Sequence, residues 1–450
     1  MSGARLDDPS PIEAAVAPAA EAPDRRTSLG ALSESPTGKA VGLAAATMGA
    51  NVIAVVFTVV FTRLLGANDY GSLAAMLNLS VILFVPGSAL QVVVARQGTL
   101  GHLGQGGELA ATLSRWTRHL LAAAVVVTAV SLLAREPLAA VLNVDQTVAA
   151  AAVPVTGTLW LLLSVQRGLL QSAQAYRTIG LSVIFEAAGR LLVALAFVGA
   201  GLGVTGAYLG TMASLGLTAI ALELVLRRRL GAPSADAPPH RLRVLVRRTA
   251  LPISVLTLVA ALQNVDVIMA KHTLAEDTAG VYAATTVAAK ALIWIAIGLG
   301  MWVLPEATRK AAEGHDPRTV LLRAVGVIGA LAAAALLIFA TVPELLLGTA
   351  FGAEYESGSE ILLVLGGAYS LLAIAYIAAQ FLLALGRRAF ALGLAAIAIA
   401  EPLLLLTADD VEEFSTIVLG VEAAAALLLL GVAASVRSLP ATHTPAAPAR

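Results

Sequence analysis

Polar positions are rare enough in this chain to act as punctuation. Between about residue 40 and residue 436 the apolar runs are long, and no strict two-residue alternation interrupts them. A bilayer crossing needs roughly 20 mostly apolar residues in succession. Runs at 40–62, 72–95, 119–134, 148–166, 180–200, 205–226, 249–270, 280–303, 321–342, 361–385, 389–407 and 415–436 meet or approach that length. The third is short and reads as beginning further back, near Trp116. In lipid, only helices and closed barrels satisfy the backbone, and runs without alternation exclude a barrel. The pattern predicts an all-α polytopic membrane protein with twelve transmembrane helices.

The ends differ from this core. Residues 1–38, including PSPIEAAVAPAAEAPDRR, are rich in Ala, Pro, Ser and acidic residues and predict a disordered tail. They lack a basic segment followed by a short apolar core and a cleavage site, so no signal peptide is expected. Residues 437–450 read as a second disordered tail. Composition agrees with the membrane assignment. Hydrophobic residues make up 58% and charged residues 13%, against roughly 25% charged in soluble domains, and the mean hydropathy is +0.85. The chain has no cysteine, which excludes disulfides, thiolate metal sites and cysteine nucleophiles.

The placement of charge tests the helix count, because loops on the cytoplasmic side carry an excess of Lys and Arg. With the N-terminus inside, the inner loops hold Arg96, Arg115 and Arg118; Arg167 and Arg177; seven arginines between 227 and 248; Arg309, Lys310, Arg318 and Arg323; and Arg387 and Arg388. The outer loops hold only Arg63, Arg135 and Lys271. An error in the count would scramble this alternation from that point onward. Both termini are therefore expected in the cytoplasm. The Arg-rich loop at 227–248 divides the chain into a six-helix lobe at 39–226 and another at 249–436. An even number of helices per half implies repeats related by an axis along the membrane normal. RLLGANDYGSLAA (63–75) and HTLAEDTAGVYAA (272–284) hold matching places in the two halves, with Leu65/Leu274 and Gly71/Gly280 aligned.

These segments carry a family resemblance. FTRLLGANDYGSLAAMLNLSVILFVPGSALQVVVARQ (61–97) resembles the opening helices of bacterial polysaccharide-biosynthesis flippases of the multidrug/oligosaccharidyl-lipid/polysaccharide exporter superfamily. NVDVIMAKHTLAEDTAGVYAATTVAAKALIWIAIGLGMWVLPEATR (264–309) is similar to the start of that family's second lobe, and RGLLQSAQAYRTIGLSVIFEAAGRLLVAL (167–195) to its fourth and fifth helices. The resemblance implies two lobes forming a V around a central cavity that opens alternately to each side. It also implies a polyprenyl-pyrophosphate-linked oligosaccharide as substrate, moved from the inner to the outer leaflet of the bacterial cytoplasmic membrane for cell-surface polysaccharide assembly. Twelve helices argue against the fourteen-helix peptidoglycan-precursor branch and leave the cation-coupled multidrug branch as the alternative.

Ionisable groups within a crossing cost at least about 2.5–3.5 kcal/mol each, so each is a functional candidate. Arg190 and Lys290 fall mid-helix, one in each half, and are suited to an anionic headgroup. Glu186, one turn from Arg190, is either part of that site or merely its neutralising partner; Lys290 has no local partner. Asn51, Gln91 and Arg63 are further candidates for the substrate path. Asp266 with Asn264, and Glu401 and Glu422, all in the second half, suit a coupling site for sodium or a proton. The alternative for Glu401 and Glu422 is that they reach headgroup water at the outer interface. Pro86, Pro154, Pro252 and Pro402 predict kinks.

No catalytic residue, resident metal or cofactor is expected. The six His are scattered in or beside loops, and no glycine-rich phosphate loop with a following Lys is present, which weighs against a membrane glycosyltransferase or an ATPase. The expected partners are the substrate, membrane lipids and polysaccharide-assembly proteins, with no nucleic acid, around a monomer.

Overall fold

The computed structural model describes residues 36–235 and 250–436, with side chains from Gly42 onward except at Met301. The predicted tails at 1–35 and 437–450 and most of the predicted linker lie outside the described residues. All regular structure among the described residues is helical. Nine continuous stretches are long and apolar enough to cross a membrane. Two of them, Gly42–Thr99 and Tyr176–Leu230, each contain two crossings, and the shorter Phe390–Leu405 supplies one more. The twelve crossings follow the expected order.

The first stretch, Pro36–Thr99, breaks at Gly66, whose φ of 75° lies in the left-handed region that favours glycine. The break separates α1 (36–65) from α2 (67–99). Then follow α3 (Gly107–Leu133), α4 (Thr147–Ser172), α5 (Tyr176–Phe197) and α6 (Gly203–Leu230). The second half holds α7 (Ala250–Thr273), α8 (Glu276–Ala289, continuing past Lys290 as Ala291–Ala312), α9 (Arg318–Thr341), α10 (Ser359–Ala384), α11 (Phe390–Leu405) and α12 (Val411–Ser435).

Several boundaries move. α3 begins at Gly107, ahead even of Trp116, because the segment's polar first turns lie against α4 rather than in lipid. The linker begins later than 227, since Arg227, Arg228 and Arg229 form the last turn of α6, where cations complement the helix dipole. Pro252 lies two residues past the edge of the described residues, so the kink expected there falls outside what they describe. Pro86, Pro154 and Pro402 do lie inside helices, joined by Pro305.

The halves repeat each other in detail. In the first, α4 is the central pillar, packed by α2, α3 and α6, while α5 lies on α1; in the second, α10 holds that place against α8, α9 and α12, and α11 lies on α7. The most apolar window of α4 and that of the α10 stretch are each 67% buried, more than that of any other of the nine stretches. A short helix follows the third crossing of each half, at Arg135–Leu142 and Pro343–Ala350. The apolar pattern did not separate these short helices from their loops.

The lobes meet through α1 and α2 of one and α7 and α8 of the other. The contact concentrates at the Arg-poor end. A Cβ at Gly71 would lie 3.2 Å from the Gly280 nitrogen, and a Cβ at Gly280 would overlap the Ala67 carbonyl oxygen. Arg63 Nη2 donates to the Thr349 carbonyl at 2.6 Å, and Tyr355 Oη donates to the Thr62 carbonyl at 3.1 Å. His272 Nε2 bonds the Val141 carbonyl at 2.7 Å, and Asn143 donates to the Lys271 carbonyl. No bond between the lobes is found at the Arg-rich end of the described residues. The lobes are therefore shut at the Arg-poor end.

Candidate functional site

Two of the polar clusters inside the crossings hold sequence candidates, one in each lobe. In the first lobe, Arg190 on α5 is half-buried, and its guanidinium stands 5.0 Å from the ring centre of Phe57 on α1. The buried Arg190 Nε has no hydrogen-bond partner. Glu186, which one reading made the neutralising partner of Arg190, lies within electrostatic reach of it but forms no hydrogen bond with it. Glu186 accepts from Arg167 Nη2 at 2.8 Å, and Arg167 Nε donates to Ser182 Oγ at 3.1 Å. Arg167 itself corrects the loop assignment. It sits inside α4, only 5% exposed, because an apolar run ending at 166 does not end the helix, which continues to Ser172. Arg167 also lies 5.7 Å from the Trp160 ring centre. Arg167 thus takes the local carboxylate, and Arg190 keeps a cation with spare donors.

In the second lobe, Asp266 on α7, Lys290 at the break in α8, Glu401 on α11 and Glu422 on α12 all point inward. Asp266, Glu401 and Glu422 are fully buried, which removes the headgroup-water reading of the two glutamates. Burial follows from pseudo-symmetry: α11 packs on α7, and α12 packs on α10, so their inner faces close over one interior. Asp266 Oδ2 accepts from Tyr282 Oη at 2.8 Å and also from Tyr369 Oη. Its other oxygen, and all four carboxyl oxygens of Glu401 and Glu422, have no hydrogen-bond partner. Lys290 is 7% exposed and lies within electrostatic reach of all three acids. Its Nζ donates to Asn78 Oδ1 on α2 at 3.1 Å and stands 5.1 Å from the Tyr369 ring centre. Lys290 therefore has a partner, supplied by the other lobe.

The remaining candidates do not join these clusters. Asn264 is buried, but its amide bonds the Ala260 carbonyl of its own helix at 2.7 Å. Gln91 pairs with Gln171 at 3.5 Å between α2 and α4. Asn51 is exposed on α1. Arg63 belongs to the closed Arg-poor rim, apart from Arg190 and Lys290. Sequence reasoning passed over Tyr282 and Tyr369. Tyrosines in otherwise apolar crossings carry the signal, because a buried phenol requires a partner. Among the described residues no group of three or more His, Cys, Asp or Glu is arranged to hold a metal ion. The second-lobe acids approach within electrostatic range without forming a coordination shell.

No family model matches the chain, and no curated protein matches it. Its fold does match solved structures. An inward-facing multidrug-resistance MATE-family transporter of the MOP superfamily superposes with a TM-score of 0.70 at 14% identity, covering 86% of this chain and 93% of that one. An outward-facing MATE-family transporter gives 0.61 at 13% identity, covering 89% and 95%. A MOP-superfamily transporter from Pyrococcus furiosus, described as having a binding pocket of reverse polarity, gives 0.61 at 14% identity, covering 89% and 96%. The fold is that of MOP-superfamily transporters. Of the first two, the inward-facing form gives the higher TM-score.

Proposed function

From that fold we propose that the chain is an alternating-access exporter of a polyprenyl-pyrophosphate-linked oligosaccharide, working in a bacterial cytoplasmic membrane with both termini cytoplasmic. The observation that carries the substrate class is Arg190. It is a half-buried cation within the first lobe whose Nε lacks a hydrogen-bond partner and whose neighbouring carboxylate is already taken by Arg167. A pyrophosphate brought away from water needs charge-assisted donors of this kind. Arg190 would hold the headgroup while the apolar carrier stays in lipid. The lobes, 39–226 and 249–436, would rock about their contact at the Arg-poor end. Coupling would come from Asp266, Glu401 and Glu422, whose buried carboxyl oxygens without hydrogen-bond partners suit the binding of protons. The protein would act as a monomer beside polysaccharide-assembly proteins.

A second reading, a proton-coupled multidrug exporter, draws on the same carboxylate cluster and on the MATE-type fold. Deletion of the gene separates the two. Accumulation of lipid-linked oligosaccharide on the inner leaflet, restored to normal by wild type and not by Arg190→Gln, supports the glycan reading. Normal glycan export with raised sensitivity to cationic drugs overturns it.

A further inference from the structure

Lys290 is placed unusually for a lysine within a crossing. Helical hydrogen bonding is interrupted there, with φ of −72° and ψ of −3°, before the helix resumes at Ala291. The break lies beside the three buried acids of its own lobe, yet the ammonium spends its hydrogen bond on Asn78 of the opposite lobe. The other lobe-to-lobe bonds described above end on backbone carbonyls at the Arg-poor rim. Lys290–Asn78 is formed by two side chains, deeper in the membrane.

Charge decides what holds it there. A buried lysine balances one carboxylate, and an isolated ionised carboxylate in an apolar interior is prohibitively costly. Asp266, which accepts two phenolic hydrogen bonds, is the acid equipped to stay ionised. Glu401 and Glu422 have no donor on any oxygen. Two neutral acids leave Lys290 free to bond an amide in the other lobe. Two ionised ones would draw it back.

We infer that Lys290 is the relay between proton occupancy of the second-lobe acids and the separation of the lobes, donating to Asn78 when Glu401 and Glu422 carry protons and to one of those carboxylates when they do not. This rests on the proton-coupling reading above. In the form open at the Arg-poor end, Asn78 has withdrawn and an ionised glutamate holds Lys290. A proton entering from that side neutralises the glutamate. The ammonium keeps its own protons and returns to Asn78, so closure of the Arg-poor end follows. Release of the proton at the other end resets the site. The groups facing Lys290 are Asp266 from α7, Tyr282 from α8, Tyr369 from α10, Glu401 from α11, Glu422 from α12 and Asn78 from α2.

The chain has no cysteine, so paired labels at Leu100→Cys and Ala312→Cys, both exposed at the Arg-rich ends of the two lobes, report lobe separation without background. Spin-label distances would be read on the full chain in lipid nanodiscs, in acid and in alkaline buffer without sodium. The unmodified background should shift towards the long distance in acid. Asn78→Leu and Lys290→Gln should each lose that shift, and Asn78→Asp, which offers Lys290 a permanent carboxylate across the interface, should hold the long distance in both buffers. An Asn78→Leu protein that responds to acid as the background does would overturn the relay and leave proton coupling standing. A background that ignores acid and responds only to added sodium would overturn proton coupling itself.

Discussion

At the scale of single residues, the two arginines of the first lobe have opposite roles. Arg167 is spent: Nε on Ser182 and Nη2 on Glu186, within a buried helix face. Truncation to Ala would strip Glu186 of its hydrogen-bonded partner, and breaking a buried pair costs about 3–5 kcal/mol. Glu186 remains 20% exposed, so roughly 3 kcal/mol is expected for Arg167→Ala, seen as a lower melting temperature of purified protein. Lys at 167 should restore little, since one ammonium cannot reproduce the guanidinium fork. Arg190 is unspent. Its replacement by Gln should leave melting nearly unchanged and weaken binding of a polyprenyl-pyrophosphate ligand. A charge-assisted bond contributes about 1.5–3 kcal/mol, or roughly 10–150-fold in affinity. Titration of the purified variant checks it. The sequence announced that 186, 190, 266, 290, 401 and 422 were special, because charge in an apolar run stands out whatever the fold. It did not announce pairings. Glu186 and Arg190 are one turn apart on a helix surface, and only the packing of α4 against α5 hands Glu186 to Arg167.

At the scale of elements, the order and number of crossings were legible because hydropathy and loop charge are local properties. Breaks within apolar stretches were not. The interruption at Lys290 lies in the middle of an apolar run, and the rim helices at Arg135–Leu142 and Pro343–Ala350 are too short to register. Glu401 and Glu422 illustrate the same limit: position along a helix gives depth, but facing is set by which neighbour covers it. The contact of α2 with α8 is the element most open to test. Gly280→Val would drive side-chain carbons into the Ala67 backbone. It should prop the Arg-poor end open without unfolding either lobe, read as a shortened distance between the labels at 100 and 312 and a sharp loss of transport.

At the scale of the whole molecule, two lobes joined at one rim give a mechanism only if that rim can part. A reducible linker joining Asn143→Cys to His272→Cys, whose parent residues bond across the interface, should arrest transport. Reduction should restore it. The same linker placed within one lobe should have no effect. Transport by reconstituted vesicles is the measurement, and continued transport with the lobes linked would mean that the rim does not open.

Gly71 and Gly280 hold equivalent places in the two halves and touch each other. A residue on a two-fold axis meets its own copy. Were the halves identical, one substitution at that point would be met twice, once from each side, and a methyl group opposed by another methyl group would force the halves apart. In a single chain each position can change alone, yet both are glycine here. At this point the joined halves keep the geometry of a dimer.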